Sequence, residues 1–163
     1  MKRLILALLL AAPIAHAKPP LKNFTVVETA PDFTFAAPGK ARSLRSLRGQ
    51  AVVLVVTQGP GVSAFKKQLK ELAPLYQELA SKNVVFVAAF KTGEGPVPSN
   101  IPFVLADDGA GVAAKYNVTD KFGIAIIGRD GNLDCQTEKV LPGGRVRDVV
   151  QNSYVVQSEI RKR

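Results

Sequence analysis

Ala51-Val52-Val53-Leu54-Val55-Val56 is an unbroken apolar run, rich in β-branched residues and free of charge. A strand with one wet face alternates, whereas a continuous run suits a central strand buried on both faces, as parallel sheets require. Gly59-Pro60-Gly61 breaks the run. Phe65, Leu69, Leu72, Leu75 or Tyr76, and Leu79 then recur at helical spacing, with Ser63 placed as N-cap. Pro74 lies inside this pattern, so a kink is expected, because proline lacks an amide proton and its ring crowds the preceding turn. A second apolar run, 83–90, follows. Strand, helix, strand in this order calls for parallel pairing through a right-handed crossover.

The flanking segments complete one α/β domain over residues 18–163. Phe33-Thr34-Phe35 alternates as a short strand, with a turn at Pro38-Gly39. Residues 43–49 read as one helical turn ended by Gly49, and residues 18–30 as an extended lead-in. Residues 91–100 are a polar Gly/Pro loop, 103–105 a short extended piece and 110–116 a short helix. Residues 123–127 and 133–139 flank Asp130-Gly131, a hairpin signal. A last helix opens at Gly143-Gly144, with Val146, Val149 or Val150, Tyr154 and Ile160 sharing a face. With 163 residues, 47% of them hydrophobic and 21% charged, the chain can bury a core and does not read as disordered.

The N-terminus narrows the chemistry. Lys2-Arg3 precede an apolar run to Ile14 that ends in Ala15-His16-Ala17, the pattern of a signal peptide over residues 1–17 cleaved after Ala17. The expected location is therefore periplasmic or secreted, with no membrane span in the mature chain. Cleavage lowers the net charge from +9 to +7 over 146 residues. It also removes the only His and the only Met, leaving Cys135 as the sole thiol. Ser–His–Asp and Cys–His catalysis, zinc ligation and an intrachain disulfide are then impossible, so neither cofactor nor metal is expected.

Several segments are similar to one known group. Ala30-Pro31-Asp32-Phe33-Thr34-Phe35 resembles an "APDF" opening, and Ser43 to Gln50 resembles an "SLSDLKGK" turn. Leu72 to Leu79 resembles the end of that group's first helix. Ile101 to Asp107 with Val112 to Val118 resembles "FPVLxD…VAxxYGV", and Ile126 to Gly131 resembles "LIDRDG". These matches fall in order across residues 28–160 and resemble the redoxin branch of the thioredoxin-like superfamily, which includes the peroxiredoxins and thiol–disulfide oxidoreductases. The resemblance implies a thioredoxin-like α/β fold: a central mixed sheet flanked by helices, βαβ followed by ββα. It also implies a nucleophilic thiolate in the loop before the first helix, where the helix N-terminus lowers its pKa. The equivalent loop holds Thr57, Gly59, Pro60, Gly61, Val62 and Ser63. Alignment by the strand puts the family's two cysteines near Gly61 and Ala64, and alignment by Leu75-Tyr76 near Val62 and Phe65. Neither register meets a sulfur. The family's cis-proline is also missing, since Phe122 and Gly123 stand at its place.

Each remaining candidate has a plain structural reading. Cys135 reads as a small hydrophobe on a hairpin strand, or alternatively as a redox thiol. Ser63 or Thr57 as a nucleophile would need a positioned base, and no His exists beyond residue 17, so Ser63 reads as a helix cap. The Gly59-Pro60-Gly61 turn could cradle an anion through backbone amides or serve as a tight connection. Asp107, Asp108, Asp130 and Asp134 belong to turns, with no EF-hand spacing. Basic groups at Arg42/Arg45/Arg48, Lys66/Lys67/Lys70, Arg145/Arg147 and 161–163 could attract an anionic envelope component or form an ordinary charged surface. The latter is favoured for the helix lysines, because they lie off the apolar stripe. Nucleic acid is not expected.

The leading expectation is an exported protein whose thiol site is lost, with a non-catalytic binding or scaffold role toward an unknown protein or anionic partner. The alternative is a thiol-dependent antioxidant or oxidoreductase acting through Cys135. A third is an assembly subunit linked through Cys135. Oligomeric state stays open.

Overall fold

A computed structural model describes residues 28–36 and 41–152. The expected signal peptide over residues 1–17, the expected lead-in up to residue 27, the expected Pro38-Gly39 turn, Tyr154, Ile160 and the basic residues 161–163 lie outside the described residues. The elements are β1 (Thr34–Phe35), β2 (Arg42–Ser43), a 3-10 turn (Leu44–Leu47), β3 (Ala51–Thr57), α1 (Ser63–Leu72), a 3-10 turn (Ala73–Leu75) and α2 (Tyr76–Ser81). They continue with β4 (Val84–Phe90), β5 (Phe103–Leu105), α3 (Gly109–Lys115), β6 (Phe122–Ile127), β7 (Leu133–Thr137) and α4 (Gly143–Gln151).

The main sheet has the order β5-β4-β3-β6-β7. β3 pairs parallel with β4 (Val53 opposite Phe86) and antiparallel with β6 (Val53 opposite Ile126). Every residue of β3 is buried, as the unbroken apolar run demands. Its side chains divide between two cores by strict alternation. Val52, Leu54 and Val56 join Phe33, Phe35, Leu44, Leu47, Val112 and Tyr116 on one face. Ala51, Val53 and Val55 join Phe65, Leu69, Leu72, Leu79, Val146 and Val150 on the other. The helical spacing from Phe65 to Leu79 and from Val146 to Val150 thus covers a single face of the sheet.

Local chemistry explains the boundaries. Pro74 ends α1 and sets the 3-10 turn from which α2 departs, the expected kink. Asp108 caps α3, its carboxylate accepting from the Gly111 amide at 2.8 Å. The expected Ser63 cap is corrected. Ser63 is the first helical residue, Val62 occupies the cap position, and no side chain caps α1. The strand at 133–139 is also shorter, ending at Thr137.

Gln68 on α1 is fully buried and polar. Its amide donates to the Leu141 carbonyl (2.9 Å) and accepts from the Leu141 amide (2.7 Å), while Glu71 accepts from the Gly143 amide (2.8 Å). These bonds fasten α4 onto α1 and leave no buried polar group of α1 unsatisfied.

Phe65 is fully buried, edge-on to Phe90 and Phe103 at 5.9 and 6.3 Å between ring centroids. Truncating it removes those contacts and leaves a cavity under α1. Phe65→Ala is expected to lower stability by about 3–5 kcal/mol, measured as a reduced urea midpoint with little change in slope.

Candidate functional site

The segment that joins β3 to α1 is held by backbone bonds on both sides. Thr57 is fully buried, with its hydroxyl 3.3 Å from the carbonyls of both Gly59 and Lys121. The Gln58 amide donates to the Lys121 carbonyl at 2.9 Å, and the Gln58 carbonyl accepts from the Thr92 and Gly93 amides at 3.2 and 2.8 Å. Gly59 is buried against the segment after β4. A Cβ on Gly93 would stand 2.9 Å from the Gly59 Cα and 3.2 Å from the Gln58 carbonyl oxygen, so the two backbones cross where no side chain fits. Pro60 closes over this crossing, 3.5 Å from the position of that Cβ.

The chain gives no reacting group at the head of α1. Gly61 is exposed and faces open space, and Ser63 is exposed. Val62 and Ala64 are half-buried against the α1 core. Phe65 fills the core itself. In the alignment registers set out above, the places of the two sulfurs are thus an open glycine and a half-buried alanine, or a half-buried valine and a buried phenylalanine.

The loop before β6 is clamped beside this head. Lys91 Nζ donates to the carbonyls of Val118, Thr119 and Asp120 at 3.1, 3.4 and 3.1 Å. Glu138 accepts from the Thr119 and Asp120 amides at 2.5 and 3.0 Å. Those hydrogen bonds, from Asp120 first, hold the Glu138 carboxyl below its ordinary range. No peptide among the described residues is cis.

The fold that carries this segment is similar to that of solved proteins. A thioredoxin peroxidase I from Plasmodium yoelii superposes with a TM-score of 0.62 at 16% identity, over 83% of this chain and 92% of that one. A thiol:disulfide interchange protein from a Bacteroides species gives 0.60 at 18%, over 78% and 91%. The chain has the thioredoxin-like fold. The thioredoxin domain of a thiol-disulfide oxidoreductase from Bacteroides vulgatus gives 0.55 at 17%, over 83% and 95%. No family model and no curated protein matches the sequence. At these identities the likeness is one of fold, and a single cysteine in the chain fits a thioredoxin-like frame with a degenerate site.

Cys135 lies far from the α1 head. It pairs with Ile126, which pairs with Val53, on the edge strand β7. That is roughly 13 Å along the strand from Thr57 and about 10 Å across two strand spacings. The residue is half-buried and packs with the α1 core. Burial pushes its thiol up, Arg145 opposes this, and Asp134 adds to it. The thiolate is therefore disfavoured.

The other candidate residues are accounted for locally. Asp108 is the α3 cap, and Asp130 accepts from the Asn132 amide at 3.1 Å within the hairpin turn. Among the described residues, no three His, Cys, Asp or Glu come together as metal ligands. Arg45 pairs with Asp32 at 3.3 Å in an exposed bridge, worth little. Sequence reading missed Lys91, Glu138 and Gln68. Their partners are backbone groups 18–73 residues away, and no short motif carries such a signal.

Asp134 and Asp130 crowd each other over Gly128, where a Cβ would lie 2.6 and 2.8 Å from their carboxylate oxygens. Burial first, then the Asp130 charge, raises Asp134 from 3.8 to about 6. The folded state therefore keeps a proton that the unfolded chain loses near pH 3.8. Stability from this group is full below pH 3.8 and lost as pH rises through about 6. Asp134→Asn should show a flatter dependence of urea midpoint across that window than the wild type, and parallel curves would contradict the assignment. Cys135 should react with Ellman's reagent at pH 7.5 several-fold more slowly than free cysteine, and reach the free rate once urea unfolds the chain.

Proposed function

We infer that the chain is an exported, non-catalytic protein that uses a thioredoxin-like frame for binding in the cell envelope or outside the cell. The observation that carries this reading is the head of α1. Thioredoxin-type chemistry needs a sulfur there, in the helix-end field that favours a thiolate. This chain instead has Gly61, Val62, Ser63, Ala64 and Phe65, behind a Gly59–Gly93 backbone crossing that admits no side chain. Export rests on residues 1–17. Their basic start, short apolar stretch and Ala15-His16-Ala17 end have the order of a cleaved leader. Among the described residues, no helix is long and apolar enough to cross a membrane.

Redox work through Cys135 alone would need a thiolate that burial and Asp134 disfavour, on a strand remote from the α1 head. Hydroperoxide consumption and insulin reduction, each with dithiothreitol as reductant, test the reading on protein purified from the culture or periplasm. The intact mass should begin at Lys18, and both rates should equal the protein-free background, unchanged in Cys135→Ser. Turnover well above background that disappears in Cys135→Ser would overturn the non-catalytic reading. Recovery of the chain only in the cytosolic fraction, with residues 1–17 retained, would overturn export.

A further inference from the structure

We propose that the groove between α1 and the segment at residues 98–101 binds a small amphipathic anion, a single carboxylate-type headgroup on an aliphatic body. This names a ligand class for the binding role above and rests on that reading.

The groove encloses about 620 Å³, within the range of small-molecule sites. Lys66, Leu69, Lys70 and Ala73 line one wall at the i, i+3, i+4, i+7 positions of a single helical stripe. Ile101 lines the facing segment, and the Tyr76 ring closes one end, held against Phe86 at 6.0 Å. Leu69 and Ile101 are buried, so the floor is part of the core and does not collapse when the groove is empty. The stripe departs from ordinary amphipathic patterning. Two exposed lysines one turn apart stand over an apolar floor, and no acidic side chain is among the lining residues.

Several cations elsewhere are engaged, whereas among the described residues Lys67, Arg42 and Lys121 are as unpaired as the groove lysines but do not line the apolar trough. Lys82 pairs with Glu78 at 3.0 Å, Arg45 with Asp32, and Lys91 with three carbonyls. Lys66 and Lys70 have neither an ion pair nor a side-chain hydrogen bond among the described residues. The Tyr76 hydroxyl and the Asn100 amide, which also border the groove, make no hydrogen bond there either. Four polar groups thus converge on one apolar trough, two of them positive and all with donors to spare. An apolar body would cover Ala73, Pro98 and the Tyr76 ring above the buried Leu69 and Ile101, while its anionic end would take charge-assisted hydrogen bonds from Lys66 and Lys70. A neutral or cationic amphiphile gains only the first of these.

Calorimetric titration of the exported chain with decanoate and with decyltrimethylammonium, both below their micelle concentrations, tests this. Decanoate should bind one-to-one, and at least about tenfold more tightly than the cation, the scale of one charge-assisted hydrogen bond. Lys66→Gln/Lys70→Gln should weaken decanoate at least about tenfold and leave the cation unchanged. Ala73→Phe, at an exposed position, should block both. Lys67→Gln, exposed on the same helix but outside the groove, should change neither. Each variant is first checked for an unaltered thermal midpoint. Absence of decanoate binding, equal affinity for the two amphiphiles, or undiminished binding in the double variant would overturn the proposal. None of these outcomes bears on thiol turnover, which is measured separately and decides the non-catalytic reading alone.

Discussion

The burial of β3 on both faces is the constraint from which the rest of the molecule follows. A seven-residue strand with no exposed side chain cannot sit at an edge or under a single layer. It needs hydrogen-bonding neighbours on both sides and apolar cover above and below. β4 and β6 supply the neighbours. Phe33, Phe35 and α3 cover one face, while α1, α2 and α4 cover the other. The amide pair of Gln68 with Leu141 and the Glu71–Gly143 bond then fix the last helix on the first, so the second cover layer is a unit rather than three loose helices.

That constraint is local in the sequence, which is why the architecture was legible there. Valines at consecutive positions, a Gly-Pro-Gly break, a helical apolar stripe and a second apolar run are each confined to short windows, and together they allow one topology. Pro74 acted as its chemistry requires, and Asp130-Gly131 turned the hairpin. The Ser63 cap failed for a physical reason. A good capping residue caps only if the chain enters the helix one position later, and here Val62 takes the non-helical conformation while Ser63 already lies inside. Helix starts depend on such one-residue choices, which packing settles.

The site was legible mainly as an absence. The missing sulfur and the lack of any histidine beyond His16 can be counted in the sequence, whereas the clamp around this loop cannot. Lys91 meets three carbonyls near residue 119, and Glu138 meets two amides there, through contacts created by the sheet itself. The crossing of Gly59 and Gly93 is of the same kind. Two glycines 34 positions apart say nothing to each other until β3 and β4 lie side by side.

These long-range contacts also bear on how a thioredoxin-like frame is held together with no sulfur at the head of its first helix. A redox loop must keep a thiol accessible and poised, which holds part of the helix head open to solvent. Here Phe65 completes an aromatic cluster, Thr57 is sealed beneath two carbonyls, and the backbones of Gly59 and Gly93 cross in close contact. The helix-end field that would have lowered a thiol pKa remains, since α1 carries no acidic residue in its first turn, but it acts on no nucleophile. With no sulfur at the head, the part of α1 that joins apolar surface to unneutralised charge is its lysine-bearing flank.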